Sequence, residues 1–184
     1  GFAPSDFIDF EQKPDPRFTI LHTGSINKDR NPSALWHSLG LFVKENPEFA
    51  NKLSIKLIGA IDASVTKDLE INQLISFTHF EQFVPHQQVI EELASCSLLL
   101  LPLNNVKSQK GIVTGKVFEY LASEQPILAI GPSDGDAAFI LNEQEGTLMI
   151  DFNTPVPWLQ VLELCQVKPR RKESLLPYSR QQLA

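Results

Sequence analysis

Lys116 and Glu119 stand three positions apart in the stretch GIVTGKVFEYLASEQPILAIGP, residues 111–132. The stretch reads as a glycine loop, a short amphipathic helix and a buried strand. At 100° per residue, Val117, Phe118, Leu121 and Ala122 fall on one side of the helix. Lys116, Glu119, Tyr120 and Ser123 fall on the other, which is predicted to face solvent or a cleft. Thr114 is predicted to cap the helix, and Gly115 leaves the backbone open to close approach. A lysine in the first turn sits beside the positive end of the helix dipole. That costs roughly 0.3–1 kcal/mol unless an anion is nearby. A phosphate there would be held by free backbone N–H groups and the lysine together. Glu119, about one turn further in, could accept hydrogen bonds from sugar hydroxyls. An ordinary surface helix with a lysine–glutamate pair would carry the same residues, and chemistry alone does not separate the two readings.

Other chemistries are less well supplied. A Walker-type phosphate loop needs four residues between its glycines and a Ser or Thr after the lysine. Here three residues separate Gly111 from Gly115, and Val117 follows Lys116. His79 and His86 share no ligand-like spacing with a carboxylate or cysteine, so a metal or catalytic role has little to rest on. Cys96 and Cys165 make no C-x-x-C pattern, and Cys96, opening an apolar run, reads as a buried thiol. A net charge of −6 argues against nucleic acid as a partner, though not against a local phosphate site.

The segment GKVFEYLASEQPILAIGP closely resembles the donor-nucleotide segment of retaining, group-1 glycosyltransferases of the GT-B fold. By that resemblance Lys116 approaches the donor phosphates and Glu119 binds the ribose hydroxyls. Many family members carry a paired glutamate eight positions earlier, near the donor sugar. Here that position is Gly111, so the carry-over covers the nucleotide contact and leaves the sugar contact unassigned. Basic residues of the first glycine loop also reach the diphosphate in this family. Gly24, Lys28 and Arg30 fall there, although two solvated loop charges would read the same. The loop after the third strand touches the nucleobase in the family, which places Phe80, Phe83 and Val84 at it. The resemblance implies substrate contacts at Gly24, Lys28, Arg30, Phe83, Val84, Thr114, Gly115, Lys116 and Glu119. The cations stabilising the departing diphosphate, Lys116 and Arg30, are its catalytic candidates. It requires no metal and no cofactor.

These residues must be positioned by the rest of the 184-residue chain, which is long enough for one domain with a sizeable core. At 42% hydrophobic and 21% charged it has an ordinary globular composition. Strands are predicted at 18–23, 53–59, 75–78, 97–102, 126–130 and 147–150. Helices are predicted from Asn31 as cap with Pro32 first, over 65–74, from Pro85 and His86, over 137–141 with Asp134 or Asp136 as cap, and over 155–167. SLLLLP (residues 97–102) is continuously apolar, as a strand covered on both faces must be. Strands alternating with helices predict an α/β, Rossmann-like, doubly wound and mainly parallel six-stranded sheet, with helices on both faces. The loops at 24–30, 80–86, 103–115 and 131–136 all follow strand ends, the edge where such sheets bind ligands.

The resemblance divides the chain into an interdomain linker (1–17), a donor-binding domain (18–167) and the start of a C-terminal crossover helix (168–184). It implies an N-terminal half that is not in this sequence, acceptor binding and any peripheral membrane contact made through that half, and no transfer activity from this half alone. The implied function is transfer of a sugar from a nucleoside diphosphate sugar to an acceptor. A non-catalytic α/β nucleotide-binding or regulatory domain remains an alternative, as does half of a nucleotide-sugar epimerase of the same architecture. The acidic, proline-broken N-terminus and the two thiols are read as cytoplasmic, and no apolar run approaches the ~20 residues of a membrane-spanning helix.

Overall fold

The computed structural model describes residues 16–105 and 113–166. The linker up to Asp15, Gly111 and the proposed crossover segment lie outside the described residues. Six strands form one parallel sheet: β1 (Phe18–Thr23), β2 (Leu53–Ile58), β3 (Thr78–Glu81), β4 (Leu98–Pro102), β5 (Ile127–Ile130) and β6 (Thr147–Ile150). Their order is β3-β2-β1-β4-β5-β6, every neighbouring pair parallel. This is the α/β, Rossmann-like sheet expected. Each crossover carries helix: α1 (Ser33–Glu45) and α2 (Pro47–Ala50) after β1, α3 (Ala63–Ile71) after β2, α4 (His86–Ser95) after β3, α5 (Gly115–Ala122) after β4 and α6 (Asp136–Asn142) after β5. α7 (Trp158–Leu164) follows β6. The chain builds outward from β1 to β3, then returns to the other side of β1 and builds outward again. Right-handed crossovers in opposite directions place helices on both faces.

Burial follows strand position. All residues of β4 (LLLLP) and β5 (ILAI) are buried, as in a sheet covered on both sides. The edge strands β3 and β6 are not. The third strand falls on THFE and not on 75–78. Residues 75–77 form a 3-10 turn instead, and His79 and Phe80 of the strand are exposed. An edge strand open to solvent needs no apolar run, so the apolar ISF misdirected the reading.

Caps differ too. α1 begins at Ser33 with Pro32 as its N-cap. The Asn31 side chain donates instead to Asp68 Oδ2 (2.7 Å) and accepts from Trp36 Nε1 (3.0 Å), tying α1 to α3. Thr114 occupies the N-cap position of α5 but makes no side-chain cap bond, and Gly135, not an aspartate, caps α6. On the far side of the molecule, Ser38 Oγ accepts from Val156 N–H (3.3 Å) and Trp158 Nε1–H (3.2 Å) and donates to Leu35 O (3.0 Å). One small buried hydroxyl thereby fastens the start of α7 onto α1.

The largest departure concerns α5. Its apolar residues Val117 and Leu121 are buried as expected, but Tyr120 and Ser123, placed on the open side of the wheel, are buried as well. The helix lies against the end of β1 with its tyrosine inward.

Candidate functional site: the crevice between β1 and β4

The strand order reverses between β1 and β4, the point where sheets of this kind open a crevice. The β1–β4 ladder is short, pairing Ile20 with Leu98 and Leu21 with Leu99. Beyond it the strands part. Peptide groups alternate direction along a strand. Gly24 N–H donates to Ile58 O on β2 (2.7 Å), and Leu99 and Leu103 N–H donate toward β5 (2.8 and 2.9 Å). Thr23 N–H and Leu100 C=O therefore point into the widening gap. Side chains satisfy both: the Tyr120 hydroxyl accepts from Thr23 N–H at 2.9 Å, and His22 Nδ1 lies 3.0 Å from Leu100 O.

That second contact fixes the state of His22. A carbonyl only accepts, so Nδ1 carries the hydrogen and Nε2 is left with a bare lone pair. Nε2 is fully buried and has no hydrogen-bond partner among the described residues. Burial pulls the imidazole pKa down to about 4, the Leu100 hydrogen bond works the other way, and the charges of Lys116 and Arg30 push it lower. The histidine is thus neutral in the folded protein at pH 7. An unfolded chain would protonate it from about pH 6.5 downward. Between those values the unfolded state holds the extra proton, so His22 supports stability above pH 6.5 and that support is lost as pH falls toward 4. The two pKa values differ enough to account for about 3 kcal/mol. Denaturant unfolding of the parent should accordingly lose stability between pH 6.5 and 4. His22→Asn, which keeps a donor for Leu100 O and does not titrate, should flatten that slope. Parallel slopes would mean that His22 is not held neutral.

Lys116 reaches across the mouth of the crevice from the first turn of α5. Its ammonium donates to Thr23 Oγ1 (3.0 Å) and to Glu119 Oε2 (3.2 Å), and lies 5.4 Å from the Tyr120 ring centre. Both the lysine and the glutamate side chain remain about a quarter exposed, so each still meets solvent. Gly24 turns the chain here with φ +117°, a conformation that favours glycine. A Cβ on Gly24 would lie 3.2 Å from Lys116 Cε, 3.7 Å from its Nζ and 3.8 Å from His22 Nε2. A side chain at position 24 would therefore crowd the stem of the lysine and approach the histidine. Gly59, at the end of β2, supports the turn: with φ +129°, its own Cβ would fall 2.2 Å from Gly24 O.

Arg30 comes to the same end of the sheet in a short 3-10 turn (Lys28–Arg30). Its Nε donates to Asn104 Oδ1 (2.6 Å) and Nη1 to Ser25 O (3.4 Å), while Asn105 N–H donates to Asp29 O (2.6 Å). The first glycine loop and the loop after β4 are thus fastened together through Arg30. Gly24, Arg30, Lys116 and Glu119 are the sequence-derived candidates that the fold gathers, with Thr114 and Gly115 at the N-terminal end of α5. Lys28 is exposed and its charge acts on Asp62. Phe83 is 88% exposed beyond β3, while Val84 is packed into the core. Among the described residues no group of three or more His, Cys, Asp or Glu could hold a metal ion, and no helix is long and apolar enough to cross a membrane.

His22, Thr23 and Tyr120 went unnoticed in the sequence. A signal existed: FTILHT ends an apolar strand on two polar residues and a glycine. In a central strand, a polar end before a glycine turn marks the ligand edge of the sheet.

No protein-family model matches the chain, and no curated protein matches it in sequence. Solved structures do match it in shape. AviGT4, a glycosyltransferase involved in avilamycin A biosynthesis, aligns with a TM-score of 0.62 at 14% identity, over 96% of this chain and 50% of its own. The N-terminal domain of trehalose-6-phosphate phosphatase from Candida albicans gives 0.61 at 11% identity, over 89% and 36%. A UDP-forming α,α-trehalose-phosphate synthase from Burkholderia vietnamiensis gives 0.59 at 13% identity, over 91% and 41%. At these identities the likeness is one of fold, and it is to the domains of GT-B glycosyltransferases. The chain spans between a third and a half of each of these three chains. It is an α/β domain whose fold resembles a part of each of these proteins.

Proposed function

We propose that this chain is the donor-binding half of a retaining glycosyltransferase, which moves a sugar from a nucleoside diphosphate sugar to an acceptor. The observation that carries the reading is the mouth of the β1–β4 crevice. A lysine ammonium, a glycine turn and a partly exposed carboxylate meet there at the topological switch point of the sheet. The fold of AviGT4 and of the trehalose-phosphate synthases supports it.

The chemistry asked of this half is electrostatic. A departing diphosphate develops negative charge, and pre-placed cations stabilise it without reorganising at the moment of reaction. Lys116 donates two hydrogen bonds within the protein, and its third hydrogen is available to a phosphoryl oxygen. Arg30, tied to the loop after β4, brings a second positive charge. One oxygen of Glu119 faces Lys116, which leaves the other to accept from ribose hydroxyls. The acceptor, the donor sugar contact and closure of the cleft belong to a second half.

A thermal-shift series with nucleoside diphosphates tests binding first. A ligand at 100 times its Kd raises stability by about 2.7 kcal/mol. Glu119→Ala should then weaken the preferred ligand by about 10- to 100-fold, the loss of a hydrogen bond to a charged group. The loss should persist for the free nucleoside, since the ribose is common to both. Unchanged affinity with an unchanged melting temperature would remove Glu119 from the site, and no shift with any nucleoside diphosphate would remove the reading itself.

A further inference from the structure

Lys116 is the cation on which the proposed chemistry leans most, yet its ion-pair partner does not explain where it sits. A lysine ammonium ends a flexible four-carbon stem. The pair with Glu119 spans i, i+3 and is partly exposed, and such a pair holds a side chain weakly. Both residues belong to α5, so that contact alone would leave the ammonium lying along the helix. What draws it toward β1 is Thr23 Oγ1, 3.0 Å away and 93 positions distant in the chain.

Thr23 is itself held from α5. Its N–H points into the gap where β1 and β4 part, where no strand carbonyl receives it. The Tyr120 hydroxyl does so at 2.9 Å, and it lies 3.4 Å from Thr23 Oγ1. Tyr120 is wholly buried. Burial holds its phenol well above the usual range, so the group stays an uncharged hydroxyl. Lys116 stands one turn before it, at i, i+4, which makes the two side chains neighbours on the helix surface. The ammonium lies 5.4 Å from the ring centre, within reach of a cation–π attraction. One tyrosine thus meets the lysine twice, directly through its ring and indirectly through the strand end that its hydroxyl holds.

We propose that Tyr120 is a positioning residue of the phosphate site: with Thr23 as its intermediary, it fixes Lys116 Nζ across the mouth of the crevice before the ligand arrives. The inference rests on the donor-binding reading and adds to it the group that orients its cation. A cation already in place loses little freedom on binding, whereas a lysine released from Thr23 must be ordered by the ligand itself. Tyr120 makes no contact with the ligand, and its effect passes through the lysine.

The test is calorimetry with uridine diphosphate and guanosine diphosphate on the parent, Tyr120→Phe, Lys116→Ala and the double variant. Phenylalanine keeps the ring and removes only the hydroxyl. Tyr120→Phe should weaken the preferred diphosphate by about three- to tenfold when Lys116 is present and by less than about twofold when it is not, since a residue acting through the lysine then has nothing to position. Equal weakening in the two backgrounds would mean a structural role alone and would overturn the proposal. Should Tyr120→Phe fail to fold, Thr23 carries the same test. Thr23→Val keeps the branched strand residue and its N–H but loses the acceptor for Lys116, so it should bind as weakly as expected of Tyr120→Phe. Thr23→Ser, which retains the hydroxyl, should restore the parental affinity. Parental affinity in Tyr120→Phe or in Thr23→Val, beside a loss in Lys116→Ala, would overturn the positioning role and leave the donor-binding reading in place. No binding of either diphosphate by the parent would overturn both.

Discussion

Lys116→Ala is expected to weaken binding of a nucleoside diphosphate by about 10- to 100-fold while changing nucleoside binding little, because a point charge on phosphate adds nothing to base or ribose contacts. The fold should tolerate the change. The lysine's partners within the protein are Thr23 Oγ1, which keeps the Tyr120 hydroxyl 3.4 Å away, and Glu119, which still meets solvent. A partly exposed i, i+3 pair is worth only a fraction of a kcal/mol. Calorimetry with the diphosphate and its nucleoside, on parent and variant, separates the two possibilities. Equal losses for both ligands would mean that Lys116 acts through the fold alone.

Gly59→Ala should be the most damaging glycine-to-alanine change among the described residues. The added Cβ would fall 2.2 Å from Gly24 O and 2.6 Å from Gly24 C, and both obstacles are backbone. The φ of +129° adds strain that an L side chain carries poorly. Strain and overpacking together give a loss of about 3–5 kcal/mol, or a fall of roughly 10 °C in melting temperature for a domain of this size. Gly131→Ala is the milder comparison: the three atoms nearest its Cβ, at 2.7, 3.0 and 3.1 Å, all belong to the Leu103 side chain and not to backbone, and Gly131 is not among the glycines with positive φ. A Gly59→Ala melting temperature within two or three degrees of the parent would show that the turn at Gly24 is free to shift. The rigidity assumed for that turn would then be wrong.

How far the sequence disclosed this arrangement depends on the range of the interactions. The central strands were legible because a strand buried on both faces is an uninterrupted apolar run, as in SLLLLP. The edge strand β3 was not, since half of it faces water and the neighbouring ISF looked more strand-like. The helix of Lys116 and Glu119 was legible from its period. The inward turn of Tyr120 was not, because a helical wheel shows which side is polar and not whether a strand end waits there to meet a hydroxyl. Tyrosine suits both settings, with an apolar body and a polar tip. Arg30 was visible as a loop cation, but its bond to Asn104 joins residues 74 positions apart and leaves no local pattern. His22 is hidden for the same reason, its acceptor lying 78 positions away.

Those separations bear on how the domain is made. β1 is the first of the six strands to leave the ribosome and ends up in the middle of the sheet. β2 and β3 can join it early, and the part of the sheet on that side can form while synthesis continues. The crevice cannot. Thr23 meets Tyr120 only after 97 further positions, and the lysine that crosses its mouth arrives only four residues sooner. Until β4 arrives, β1 has an open flank at the apolar Ile20 and Leu21, and until α5 arrives Thr23 N–H, beyond the β4 ladder, lacks the hydroxyl that accepts from it. A nascent chain arrested before β4 would expose that edge to any neighbouring strand, and one arrested before α5 would still lack the tyrosine and lysine that close the end of β1.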